Sequence, residues 1–128
     1  MGSIDESERT FSSEEKSIAE VLKNEGKNVK AKAEIQGKRT ADAEVDGVES
    51  EFKSLAPGAK NSTVRNSIND SIRRGGQARN MVIDARGSGL TEVEAQRGLA
   101  RARNITRGKI DSVRIMGDGF DITAASFK

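Results

Sequence analysis

Asp42, Glu51 and Lys53 are the residues whose types and spacing point most directly to chemistry. Asp46-Gly47 lies between two alternating runs, Ala41 to Val45 and Val48 to about Leu55, and is a strong signal for a two-residue type I′ hairpin. With those two residues in the turn, Val45 stands opposite Val48, Glu44 opposite Glu49, Ala43 opposite Ser50 and Asp42 opposite Glu51. Side chains alternate between faces, so Asp42 and Glu51 share one, with Cβ atoms ~4.5–5.5 Å apart. Like charges placed so destabilise a hairpin, and a divalent cation between them removes the conflict and creates a hard-oxygen site. Lys53 follows on the same face. Its ammonium can hold a water, assist its deprotonation or stabilise negative charge developing on phosphorus. Solvated surface carboxylates are the plain alternative, and that is the reading for Glu44 and Glu49, nearer the turn.

The residue types that are missing narrow the chemistry further. The 128 residues include no His and no Cys, which excludes Ser-His-Asp and Cys-His triads, imidazole acid–base catalysis, Cys/His zinc sites and disulfides. Trp and Tyr are absent and Phe numbers four, too few for base-stacking platforms. Catalysis must therefore run on carboxylates, Lys, Arg, hydroxyls or a hard metal ion. Oxygen ligands favour Mg²⁺ first, with Mn²⁺ or Zn²⁺ as alternatives.

The net charge of +2 is unevenly placed. Residues 1–60 carry 10 basic against 13 acidic side chains, and residues 61–128 carry 12 against 7. Between 61 and 108 every basic residue is Arg. Arg matches phosphate with a bidentate fork where Lys offers a point charge. An acidic half joined to an Arg half suits a metal–carboxylate centre beside a polyanion surface, and a solvated charged face fits the same counts.

The elements that position these residues follow from local pattern. Residues 1–12 read as a disordered lead-in or cloning scar, and 13–128 as one domain. Ser12 and Glu15 form a capping box for a helix over about 13–25, with Ile18, Ala19, Val21 and Leu22 as its apolar stripe and Gly26 as its stop. Val29 to Ile35 alternates as a half-buried strand before the hairpin. Asn61 or Ser62 caps a second helix whose stripe is Val64, Ile68 and Ile72, closed by Gly75-Gly76. Met81-Val82-Ile83 is a short central strand covered on both faces. Thr91 and Glu94 form a second capping box, and Val93, Leu99, Ala102 and Ile105 face inward on a third helix. Val113 to Ile115 and Phe120 to Ile122 close the chain as a hairpin. The order α-β-β-β-α-β-α-β-β is an α/β domain with a mixed sheet flanked by helices. Arg73, Arg74, Gln77 and Arg79 bracket the Gly-Gly bend, where backbone and guanidinium can meet phosphate, although Arg at a helix C-terminus also favours the dipole. Arg97 with Arg101, and Arg103 with Arg107, stand one turn apart on the third helix, as phosphate grips or as a solvated face.

The string Asp42…Glu51-Phe52-Lys53 on a hairpin, preceded by a helix bearing Glu15, resembles the PD-(D/E)xK nuclease superfamily. Ala41 stands where that superfamily commonly has Pro. The spacing Glu15, Ile18-Ala19, Leu22, Gly26 is similar to the first helix of archaeal Holliday-junction resolvases and favours Glu15 over Glu20 as the helix residue of the site. Over roughly residues 15–115, the run Glu51 to Leu55 and the block from Ser71 to Leu99, with Ile72-Arg73-Arg74-Gly75-Gly76-Gln77-Ala78-Arg79-Asn80 at its heart, resembles the tRNA-nuclease C-terminal toxin domains of CdiA-type contact-dependent growth inhibition proteins.

That resemblance implies a PD-(D/E)xK nuclease-like fold and a metal-dependent RNase that cleaves tRNA. It implies catalytic Glu15, Asp42, Glu51 and Lys53, a divalent metal ion on Asp42 and Glu51, and RNA contacts from Arg73, Arg74, Gln77 and Arg79. It further implies secretion as the C-terminal part of a larger effector, action in the target-cell cytoplasm and neutralisation by a cognate immunity protein. The alternatives are a DNA endonuclease of the same fold and a non-catalytic nucleic-acid-binding module. No stretch of ~18 apolar residues occurs, so no membrane-spanning helix is expected.

Overall fold

The computed structural model describes residues 2–33, 41–73, 80–106 and 109–125. Seven strands and three helices run in the order β1 (Ser3–Asp5), α1 (Ser13–Asn24), β2 (Asn28–Ala31), β3 (Ala43–Val45), β4 (Val48–Ser54), α2 (Asn61–Arg73), β5 (Asn80–Asp84), α3 (Glu92–Thr106), β6 (Ser112–Gly117) and β7 (Phe120–Ala125). The strands form one sheet in sequence order. β2-β3-β4 is an antiparallel meander, β4-β5-β6 are parallel across the helical crossovers, and β7 returns antiparallel to β6. This is the expected mixed α/β sheet, extended by one strand.

The extra strand corrects the reading of residues 1–12 as a lead-in. β1 pairs in parallel with β2, and Phe11 is buried against Phe52 with ring centroids 5.9 Å apart. Three residues are too few for a periodic signal, and β1 is held by backbone pairing with β2 and by Ile4, which packs against the core.

The hairpin forms as its sequence requires. Asp46 (φ 50°) and Gly47 (φ 83°) both take the positive φ of a type I′ turn, and the partners are Val45↔Val48, Glu44↔Glu49 and Ala43↔Ser50. The ladder stops there, so Asp42 lies just outside β3. The strand expected to run to Ile35 ends at Ala31, and residues 34–40 lie outside the described residues.

The core has two halves. On one face of the sheet α1 brings Ile18, Ala19 and Leu22 onto Val29, Ala31, Ala43, Phe52 and Val82. On the other, α2 and α3 bring Val64, Ile68, Ala95, Leu99 and Ala102 onto Met81, Ile83, Val113 and Ile115. The β5 run is thus covered on both sides, as parallel strands usually are.

Helix α3 departs from its expected stripe. Val93 and Ile105 face solvent, while Ala95, Gly98, Leu99, Ala102 and Thr106 are buried. Close approach to α2 decides the rotation: a Cβ at Gly98 would stand 2.5 Å from Val64 Cβ. The caps differ too. Asn61 is already helical, and Lys60 supplies the first carbonyl, accepting from Thr63 and Val64. Thr91 Oγ1 accepts from the Glu94 amide, but Glu94 Oε1 accepts from the Asn61 amide and Nδ2. The second half of the expected capping box is exchanged for a link between helices.

Candidate active site

Asp42 is placed by the end of a ladder. Beyond Ala43 no β3 carbonyl meets the Phe52 amide, and the Asp42 carboxylate takes that role: Phe52 N donates to Oδ2 at 2.9 Å. The Asp42 carbonyl accepts from Lys32 N at 3.1 Å and from Arg9 Nη2 at 2.8 Å. Backbone and side chain are therefore both held. Burial pushes the Asp42 carboxyl up to about 6, and the charges of Glu51 and Glu15 add to the rise, against the Phe52 N–H and Arg9. The mutual repulsion expected across the hairpin is thus present, with Glu15 as a third contributor.

Glu51 is 2% exposed. Its β5 neighbour in register is Met81, and that of Lys53 is Ile83, so both side chains leave the same face of the sheet. The other like-charge pair behaves differently. Glu44, opposite Glu49, has Lys32 Nζ 3.2 Å from its carboxylate, an ordinary surface compensation.

Glu15 occupies the first turn of α1 and serves two structures at once. Its Oε1 accepts from Ser12 N at 3.0 Å while its amide donates to Ser12 Oγ, the complete capping box. Arg9 forks onto the same carboxylate, Nη1 to Oε1 at 2.9 Å and Nη2 to Oε2 at 3.4 Å. Burial opposes ionisation of Glu15, but Arg9 and Ser12 outweigh it and hold its carboxyl below the usual range. The charge of Glu20 acts on Lys16 instead.

The expected set is therefore partly assembled. Asp42 feels the charges of both Glu51 and Glu15, and Lys53 shares the Glu51 face. Among the described residues, no group of three or more carboxylates gathers into a metal-holding cluster. Two oxygen-donor side chains fit a divalent ion of the Mg²⁺ kind, which keeps several waters and takes one or two carboxylates plus substrate phosphates. The burial and repulsion of Asp42 are what such an ion relieves. Arg74, Gln77 and Arg79 lie outside the described residues, as does Arg107. Of Arg73 only the backbone is described, at the end of α2. Arg97 meets Glu94 at 3.4 Å, and Arg101 Nη1 donates to Asn61 Oδ1. The helix arginines therefore include structural ties.

One feature escaped the sequence reading, and another was read only as a motif. Arg9 sits among the first residues, where only an aromatic directly before a helix cap, Phe11, hints at packing. The second is an ion pair at the carboxyl ends of β4 and β5. Arg86 Nε and Nη2 donate to the two Asp84 oxygens, each at 2.8 Å, and Nη2 also reaches Ser17 Oγ at 3.0 Å. Both residues line a cleft of about 490 Å³ with Ser13, Ser17 and Ser54. The strand's D-A-R spacing was the available signal.

A family model described as the contact-dependent growth inhibition CdiA C-terminal domain matches residues 38–122. A solved structure, the CdiA-CT/CdiI toxin and immunity complex from Burkholderia pseudomallei, contains a chain similar in fold, with a TM-score of 0.71 at 18% identity, covering 97% of this chain and 99% of that one. No curated protein matches the sequence. Among the described residues no helix is long and apolar enough to cross a membrane.

Proposed function

Because this chain belongs to the contact-dependent growth inhibition CdiA C-terminal domain family, we propose that it is a toxin domain that acts as a metal-dependent endoribonuclease on tRNA. It is carried at the C-terminus of a secreted effector, acts in the cytoplasm of the target cell and is neutralised by a cognate immunity protein. The toxin–immunity assembly of the similar structure supports the last point.

The observation that carries the catalytic reading is the Asp42–Glu51 pair: two carboxylates close enough for the charge of Glu51 to raise Asp42, with Glu51 2% exposed and Asp42 driven up to about 6, chiefly by burial. Such an arrangement costs stability and is retained where it does chemistry. Asp42 and Glu51 would hold the divalent ion, Mg²⁺ by preference and Mn²⁺ or Zn²⁺ as substitutes. When bound, that ion supplies Lewis-acid polarisation of the scissile phosphate and acidifies a water. The chain's own groups do the rest. The Phe52 N–H fixes one Asp42 oxygen, and the other would be the one offered to the ion. Lys53, on the Glu51 face, would meet the negative charge that develops on the phosphoryl oxygens, an interaction stronger in the transition state than in the ground state. Glu15 holds its place in the α1 cap and adds negative charge beside Asp42. Arg73, Arg74, Gln77 and Arg79 grip the RNA backbone.

Incubation of the domain with total RNA and with plasmid DNA, in Mg²⁺ and in EDTA, tests this. RNA loss confined to the tRNA band and to Mg²⁺ is the expected outcome. DNA cleavage would move the assignment to a DNA endonuclease. No cleavage with any divalent ion would leave a binding module.

A further inference from the structure

We propose that Arg9, which lies outside the family-matched segment, is the positioning residue that fixes the catalytic Asp42 by tying three separate pieces of chain to one guanidinium. The proposal rests on the nuclease reading of Asp42.

Three acceptors converge on Arg9. Nε donates to the Lys32 carbonyl at 2.8 Å, just past β2. Nη2 donates to the Asp42 carbonyl at 2.8 Å, just before β3, and Nη1 and Nη2 fork onto the Glu15 carboxylate at the start of α1. The three pieces are the ends of β2 and β3, still joined by the Lys32 N–H to the Asp42 carbonyl, and the capped first turn of α1. The guanidinium is itself seated, with its carbon 5.5 Å from the Phe11 ring centre, and Phe11 packs on Phe52. Phe52 in turn donates to the Asp42 carboxylate. Arg9 and Phe52 therefore hold Asp42 from opposite sides, one by its carbonyl and one by its side chain, and both contact Phe11.

The geometry requires arginine. Donors diverge in one plane toward two carbonyls and a carboxylate on different elements, and a lysine ammonium at the end of a flexible stem cannot span all three. Without this tie, Asp42 keeps the Lys32 N–H and the Phe52 N–H but loses the contact that links it to α1 and Glu15. Displacement of a reacting group by ~1 Å is enough to cost on the order of 10²-fold in rate.

The test compares Arg9→Lys with the wild type, since Arg9→Ala also removes the positive charge from over the Phe11 ring. The readouts are the Phe52 amide proton shift by NMR in metal-free protein and the kcat and KM of tRNA cleavage in Mg²⁺, with the melting temperature as control. The expected result is an upfield move of the Phe52 amide, which reports a lengthened bond to Asp42. It comes with a fall in kcat on the order of 10²-fold, an unchanged KM and little change in melting temperature. An unmoved Phe52 amide with wild-type kcat in an active enzyme overturns this proposal alone. A proportional fall in stability and activity, with amide shifts disturbed throughout the sheet, also overturns it and makes Arg9 a folding residue. A wild type inactive with every divalent ion removes the nuclease reading, and the catalytic role of Arg9 falls with it.

Discussion

At the scale of residues, Asp42 is where stability and function oppose each other. Its carboxyl rises from an ordinary 3.8 to about 6 on folding, so between those values the native state holds a proton that the unfolded chain has released. The stability this group contributes is therefore greatest at acid pH and is lost as pH climbs through about 6. Asp42→Asn removes the penalty and keeps an oxygen for the Phe52 N–H. Metal-free Asp42→Asn should match the wild type below pH 4 and be more stable at pH 8, by up to about 3 kcal/mol at 1.36 kcal/mol per unit. Denaturant titrations at the two pH values check this, and equal stability at pH 8 would show that Asp42 carries no strain. Lys53 is tested differently. If it stabilises the transition state, Lys53→Met lowers single-turnover cleavage on the order of 10²-fold and barely touches RNA affinity. Equal losses in rate and affinity would make it a generic phosphate contact. The spacing of Asp42, Glu51 and Lys53 was legible because one turn sets a register and a register sets a face. Arg9 was not legible, because two of its three acceptors lie 23 and 33 residues away and no local pattern encodes such a meeting.

Elements were readable in proportion to how local their causes are. The α1 capping box and the Asp46-Gly47 turn depend on neighbours within three residues, and both formed as read. The face of α3 depends on how closely it approaches α2, which Gly98 permits and Val93 cannot announce. The same locality explains the N-terminal strand. β1 has no periodicity to detect, yet the segment after it buries Phe11 against Phe52. Phe11→Ala should cost about 3 kcal/mol, the low end for truncating a buried aromatic, measured by chemical denaturation. A cost under about 1 kcal/mol would mean that residues 2–12 pack too loosely to support the site.

On the scale of the whole molecule, the sheet divides the work. α2 and α3 cover one face of the parallel strands, α1 covers the other, and the meander β2-β3-β4 carries the carboxylates at its end. That layout follows from strand pairing rules, and the mixed order of helices and strands was enough to anticipate it. Which polyanion meets the site does not follow from the layout, because metal and carboxylates treat the phosphodiesters of RNA and DNA alike. The account stands most directly on Glu51, nearly fully buried and electrostatically coupled to Asp42. The deciding measurement is single-turnover cleavage of tRNA in Mg²⁺ by the wild type and by Glu51→Gln, which keeps the shape and removes the charge. The account predicts Mg²⁺-dependent cleavage by the wild type and a rate at background for Glu51→Gln, whose melting temperature is equal or higher. Wild-type cleavage by Glu51→Gln would contradict it.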